Sequence, residues 1–367
     1  MKVVYDSQIF ATQEFGGISR YFCALASQMA NFPETEARIV APLYVNGYLK
    51  VLGNNIAVGQ YVRRLPKTSW IINTLSATLF RPLSGMMRPD ILHETYYAER
   101  PTCGGKMPRA LTVYDMIHER CPGSFAANDP TARIKACAVQ RADHIFCISE
   151  NTRRDLLDIH QLPEDRVTVT YLGYDALPQS ALTAADLVGA APYLLYVGGR
   201  HGYKNFEGLL RAFAASSWLR NNLRLVVFGA AAFSREERDL IAALGLLESQ
   251  VIHLGGGDER LAALYKGAAA FVYPSKYEGF GIPPLEAMSL DCPVICSNTS
   301  SIPEVVGDAG EYFSPLDIES IGAAIEQVLQ SPARRAELVA IGQSRCKLFS
   351  WERCARETYN VYRRLAA

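Results

Sequence analysis

Short apolar runs recur along the chain, and between them apolar residues return every three or four positions. Runs of the first kind read as strands buried on both faces, stretches of the second as helices with one apolar stripe. Strands are expected at Lys2–Tyr5, Ala37–Ala41, Ile91–His93, Arg109–Val113, His144–Ile148 and Val167–Thr170. A second series is expected at Tyr193–Val197, Arg224–Phe228, Val251–Leu254, Ala269–Tyr273 and Pro293–Cys296. Strands alternating with helices predict parallel sheets covered by helices. The segment Ala176–Ala191, rich in small and polar residues, separates the two series and reads as a linker.

The expected fold class is therefore α/β, with two Rossmann-like domains, 1–178 and 190–349, facing a central cleft. A length of 367 residues is enough for two such cores. Basic and acidic residues balance at 37 each, and the balance holds in both halves, so no footprint for nucleic acid is present. The nine cysteines are scattered and odd in number, without C-x-x-C or zinc spacing, and Cys23, Cys137, Cys147, Cys292 and Cys296 sit among apolar neighbours as buried thiols. A reducing cytoplasm is the expected compartment. The chain opens on a strand with no signal peptide ahead of it, and no apolar run has the length of a membrane span.

Candidate chemistry concentrates in Tyr273–Pro293, Y-P-S-K-Y-E-G-F-G-I-P-P-L-E-A-M-S-L-D-C-P. Its apolar strand leads through a Gly-Phe-Gly turn into a helix that Pro283 and Pro284 can start. Glu278 then lies in the loop and Glu286 in the first helical turn. Gly279 and Gly281 let the backbone approach a ligand, and the helix-start amides attract phosphate oxygens. A carboxylate accepts two hydrogen bonds at once, which suits vicinal sugar hydroxyls. A second motif, Tyr196-Val-Gly-Gly-Arg-His-Gly-Tyr-Lys-Asn205, ends a strand in a glycine pair and then presents Arg200 and Lys204, cations that can neutralise a diphosphate. His201 and Tyr203 beside them read as packing or surface groups. A third, Gln13-Glu-Phe-Gly-Gly-Ile-Ser-Arg-Tyr21, places Gly16 and Gly17 at a strand-to-helix turn. No strand is followed by a full G-x-G-x-x-G turn, which argues against a dehydrogenase.

The run E-G-F-G-I-P-P-L-E-A-M resembles the E-x7-E signature of the retaining GT4 glycosyltransferases, whose fold is GT-B. That resemblance implies that Glu278 faces the donor sugar and Glu286 the nucleotide ribose, with Gly279, Phe280, Gly281 and Leu285 beside the donor. It implies that Arg200 and Lys204 hold the donor phosphates, that Gly16 and Gly17 contact the diphosphate and the acceptor, and that the tail from Phe349 to Arg364 crosses back onto the N-terminal domain. The family commonly carries a histidine before the aspartate of the segment Ala110-Leu-Thr-Val-Tyr-Asp-Met-Ile-His-Glu119. Here that position is Tyr114, so the sugar pocket is open between Tyr114, Asp115 and His118. His93, in Leu-His-Glu-Thr-Tyr-Tyr97, is either structural or functional. A nucleobase pocket is implied near Phe228-Gly229 and His253-Leu-Gly-Gly-Gly-Asp258, where Asp258 either reads the base or caps the next helix.

The implied reaction moves a hexose, mannose from GDP-mannose, to a saccharide or lipid-linked saccharide by front-face substitution, with no metal and no cofactor. F-G-G-I-S-R-Y and Y-D-M-I-H-E resemble mannosyltransferases of bacterial surface polysaccharide assembly. A GT-B sugar-nucleotide epimerase and a non-catalytic GT-B scaffold subunit are the alternatives. Tyr61–Ile72, continuing to Arg81 and Arg88, mixes cations with Trp70, Ile71, Ile72, Leu75 and Phe80. It reads either as a helix packed on its sheet or as a surface for peripheral contact with an anionic membrane.

Overall fold

Parallel pairing joins every strand described in this computed structural model, which covers residues 1–367 apart from Pro66, Lys67, Gln179, Ser180, His201 and Ala230. Expectations touching those six positions, His201 among them, lie outside the described residues. The chain divides into two units: 1–120, 125–173 and 349–367 form the first, 121–124 and 174–348 the second.

The first unit contains β1 (Lys2–Tyr5), β2 (Glu36–Tyr44), β3 (Ala57–Tyr61), β4 (Ile91–Glu94), β5 (Arg109–Val113), β6 (His144–Cys147) and β7 (Val167–Val169), in the order β3-β2-β1-β4-β5-β6-β7. The second contains β8 (Tyr193–Val197), β9 (Arg224–Phe228), β10 (Val251–Leu254), β11 (Ala270–Tyr273), β12 (Val294–Ser297) and β13 (Gly310–Phe313), in the order β10-β9-β8-β11-β12-β13. Each chain path runs outward from its first strand, returns, and continues on the other side. The reversal falls between β1 and β4 in one sheet and between β8 and β11 in the other, the places where open parallel sheets bind ligands at their strand ends.

Strands β3 and β13 carry no strong apolar run in the sequence. Both lie at sheet edges, where Gly59 and Gln60 are exposed and the middle residues of β13, Glu311 and Tyr312, are only half-buried, so burial never demanded one. The linker region contains a short helix, Ala184–Val188, closed by reciprocal hydrogen bonds between Thr183 and Asp186. Of the five cysteines expected to be buried, Cys137 is only partly so; all nine are free thiols.

The terminal helix Trp351–Leu365 belongs to the first unit, packing on the Gly17–Met29 helix. Its buried residues, Trp351, Cys354, Ala355, Thr358, Val361 and Tyr362, follow helical spacing along one stripe. Gly173 makes the junction possible, since a Cβ there would lie 2.2 Å from the Trp351 amide nitrogen.

His93 ties this helix to the sheet. Its Nδ1 hydrogen-bonds the Tyr362 hydroxyl and its Nε2 the Thr112 hydroxyl at 2.9 Å, and the ring is fully buried beside Phe22 and Phe146. It is a core histidine. Burial, with His144 nearby, lowers its pKa from the ordinary 6.5 to about 3. Below pH 6.5 the unfolded chain therefore binds a proton that the folded chain refuses, so stability falls as pH drops from 6.5 towards 3, by at most about 1.4 kcal/mol per pH unit. Melting temperatures measured between pH 7.5 and 5 are expected to fall with pH, and less steeply in His93→Gln. Equal slopes would contradict this assignment.

Candidate active site

The second sheet brings its two central strands, β8 and β11, to the reversal point, and the loops that follow them carry the candidate cations and carboxylates. Strands β8 and β9 both end in glycine at positive φ, 121° at Gly198 and 93° at Gly229. Few other residues adopt such angles, and a Cβ on Gly229 would sit 3.7 Å from the Gly198 nitrogen. The two loops thus leave the sheet side by side.

Lys204 reaches from the loop after β8 to Glu278 in the loop after β11, with Nζ 2.7 Å from Oε1 and 3.0 Å from Oε2. Both side chains are largely shielded from water, at 22% and 10% exposure, so the pair is a preformed feature rather than a solvated surface contact. The Glu278 main chain is fixed as well. Its N–H donates to Ser300 Oγ at 3.1 Å, and its carbonyl accepts from Ser300 Oγ at 2.6 Å and Ser301 Oγ at 2.9 Å. Ser301 Oγ also donates to the Phe280 carbonyl. Burial and the Glu278 carboxylate raise the Tyr273 phenol well above its ordinary pKa, and burial with the same carboxylate raises Tyr196.

Arg200 stands elsewhere. Its Nε and Nη2 form a fork on Glu237, at 2.6 and 3.0 Å, while Nη2 also donates to the Ala231 carbonyl at 2.8 Å and the guanidinium lies over the Phe233 ring. Burial works against the Glu237 charge, but Arg200 and the Ser234 amide hold its pKa below the ordinary value. Glu237 also closes the start of the Arg235–Ala243 helix, where it and Ser234 hydrogen-bond reciprocally. Nothing in the sequence announced its pairing with Arg200. Arg200 also lines a cavity of about 400 Å³ with Asn205, Arg211 and Lys276, a lining rich in positive charge.

Glu286 is buried in the Ile282–Ser289 helix, where the Tyr265 hydroxyl reaches its Oε2 at 3.4 Å and the Pro283 carbonyl at 3.3 Å. The anion-attracting helix start needs refinement, because Pro283 and Pro284 have no N–H and leave only the amides of Gly281 and Ile282 there. Gly281, at φ 123°, turns the chain into that helix. Phe280 and Leu285 are buried. Asp258 is the first residue of its helix, Asp258–Gly267, whose cap position is Gly257, so Asp258 is not the cap. Near it His253 Nε2 lies 3.0 Å from the Gly229 carbonyl and its ring meets Phe233 edge-on.

The remaining candidates lie in the first unit. Gly16 precedes the Gly17–Met29 helix, and a Cβ there would lie 2.2 Å from the Gln13 side chain; at Gly17 a Cβ would meet nothing within 4 Å. Tyr114 does not offer a hydroxyl to a pocket: it is 7% exposed and its OH donates to the Thr95 carbonyl at 2.9 Å. Asp115 Oδ1 accepts the Ile117 amide at 3.0 Å and lies 3.8 Å from Lys135 Nζ, as a turn former beside a buried cation. His118 stacks on Phe125 at 3.9 Å, with Nε2 4.0 Å from Asp129 and a buried Nδ1 that has no hydrogen-bond partner among the described residues. Of the three, His118 is the one with an unspent ring nitrogen.

Two family models match, Glycosyltransferase Family 4 over residues 15–176 and Glycosyl transferases group 1 over residues 184–345. O-antigen chain mannosyltransferase B of Escherichia coli is 36% identical over 273 residues, 71% of each chain. The chain belongs to the GT4 glycosyltransferases. Among solved structures, sucrose-phosphate synthase from Thermosynechococcus elongatus superposes with a TM-score of 0.75 at 18% identity, covering 99% of this chain and 98% of that one. HepE of Anabaena, in complex with UDP and glucose, gives 0.74 at 16% identity over 98% and 99%. The fold of this GT4 glycosyltransferase is accordingly GT-B, with two parallel-sheet Rossmann-like domains. Among the described residues no helix is long and apolar enough to cross a membrane.

Proposed function

We propose that this GT4 glycosyltransferase transfers mannose from GDP-mannose to a hydroxyl of a saccharide or lipid-linked saccharide during surface polysaccharide synthesis, with retention at the anomeric carbon. The observation that carries the reading is the Lys204–Glu278 pair bridging the reversal point of the second sheet. The likeness to an O-antigen mannosyltransferase supports the sugar and the setting.

On this reading Lys204 turns its charge to the donor diphosphate as the donor enters, and Glu278 accepts hydrogen bonds from the sugar hydroxyls. Arg200 exchanges part of its hold on Glu237 for the phosphates, and Glu286 takes the ribose hydroxyls. Fixed cations at the departing phosphate stabilise charge that grows as the bond to the sugar breaks, without reorganising water. The leaving phosphate then draws the proton from the acceptor hydroxyl that attacks the same face. His118 is the first-unit side chain proposed for the sugar. Protein cations take the place a metal would have, so activity is expected to survive chelation. Proton nuclear magnetic resonance of the product formed from GDP-mannose tests the reading: an α-mannoside supports it, and a β-mannoside or an absence of transfer overturns it.

A further inference from the structure

Three cations, Arg200, Arg211 and Lys276, line the cavity of about 400 Å³ in the second unit, whereas Lys204 and Glu278 do not. Gly202 and Asn205 after β8, the start of the Phe206–Ala215 helix, Lys276 after β11, and Pro315, Leu316 and Ile318 after β13 form its wall. The volume falls in the range of small-molecule sites.

The Arg200 side chain is 7% exposed, and Glu237 takes its Nε and Nη2 at 2.6 and 3.0 Å. Nη1 is buried and has no hydrogen-bond partner among the described residues, although buried polar atoms are normally paired. The helix start beside it is open as well. Asn205, at the cap position with φ 55°, commits its side-chain amide to the Pro315 carbonyl at 2.7 Å, so it does not cap the amides of the first turn. A helix start with free amides attracts anions. Among the described residues one carboxylate lines the cavity, Glu207, and Arg211 holds it at 2.7 Å.

We infer that this cavity is a second anion site, which takes the phosphate dianion of a small phosphomonoester or of free phosphate. Arg200 Nη1, the Lys276 ammonium and the helix-start amides meet its oxygens, and Leu316 and Ile318 offer an apolar edge to an organic part. The Lys276 N–H donates to the Tyr203 carbonyl at 2.7 Å, which ties the loop of Glu278 to the turn of Lys204. An anion on Nη1 holds Arg200 in the cavity, away from a donor diphosphate. Each ligand therefore weakens the other by the same factor. That coupling rests on the proposed transferase reading, whereas the site itself does not.

Calorimetry with inorganic phosphate and with mannose 6-phosphate tests the site. At least one is expected to bind saturably, and the tighter of the two names the source of the phosphate. Arg211→Ala/Lys276→Ala should weaken that binding about tenfold or more, while Lys204→Ala should leave it within about threefold of wild type. Binding by neither probe, binding unchanged in the double variant, or binding lost in Lys204→Ala overturns the inference. GDP-mannose titrated with and without the tighter probe reads the coupling. The probe is expected to raise the apparent Kd of GDP-mannose about threefold or more in wild type and to leave it unchanged in Arg211→Ala/Lys276→Ala, which binds GDP-mannose alone as wild type does. An equal rise in both proteins puts the probe in the donor site and overturns the inference; no rise in wild type overturns the coupling. Wild type failing to bind GDP-mannose counts against the transferase reading and leaves the cavity to be judged by the phosphate titrations.

Discussion

Glu278→Gln is expected to lower kcat/KM about 10²–10³-fold with no loss of fold, the magnitude typical of removing one fixed electrostatic partner from a reacting centre. The substitution preserves shape and leaves untouched the main-chain bonds to Ser300 and Ser301 that set the loop. It removes the negative charge that orients Lys204 and that would accept sugar hydroxyls. Hydrogen bonds to charged groups contribute more than neutral ones, about 1.5–3 kcal/mol each, so a neutral amide at this position forfeits much of the sugar's orientation. Steady-state kinetics beside a thermal melt check the expectation. A kcat/KM within about threefold of wild type would contradict the role given to Glu278.

Lys204→Ala should cost a similar factor, about 10²–10³ in kcat/KM, for a complementary reason. Without the ammonium group, Glu278 keeps a largely buried carboxylate beside the buried phenol of Tyr273, and the donor phosphates lose a cation. Lys204→Arg is not expected to restore the rate, because a guanidinium is bulkier than an ammonium, carries its donors in one fixed plane, and would have to fit the same largely shielded space. Residues that act through each other are non-additive. The double variant Lys204→Ala/Glu278→Gln should therefore lose clearly less than the product of the single losses. Full multiplicativity would show two independent effects and break the proposed exchange of Lys204 between carboxylate and phosphate.

Strands buried on both faces were legible because burial forces a continuous apolar run, as at Tyr193–Val197 and Arg109–Val113, whose limits in the sequence and in the structure agree. Edge strands escape that demand, which hid β3 and β13. The family motifs also placed Lys204 and Glu278 in loops that follow strands; that the two loops are neighbours came from the pairing of β8 with β11. What the sequence withheld was the choice of partner between residues far apart in the chain. Arg200 carries the same charge as Lys204 and lies four positions before it, yet it pairs with Glu237 because the glycine ends of β8 and β9 set the two loops side by side. Tyr114 and His93 were ambiguous for the same reason, since a buried hydroxyl or imidazole reveals its task only through its partner, Thr95 for one and Tyr362 with Thr112 for the other.

The central claim is that the second unit binds a sugar nucleotide through Glu286 and the Lys204–Glu278 pair. Calorimetry with GDP-mannose, UDP-glucose, UDP-N-acetylglucosamine and ADP-glucose tests it most directly, with wild type compared to Glu286→Ala. Selective binding of GDP-mannose, weakened about tenfold or more in the variant, is the predicted result. An absence of binding to all four, or equal binding by the variant, would contradict the account and favour a non-catalytic scaffold.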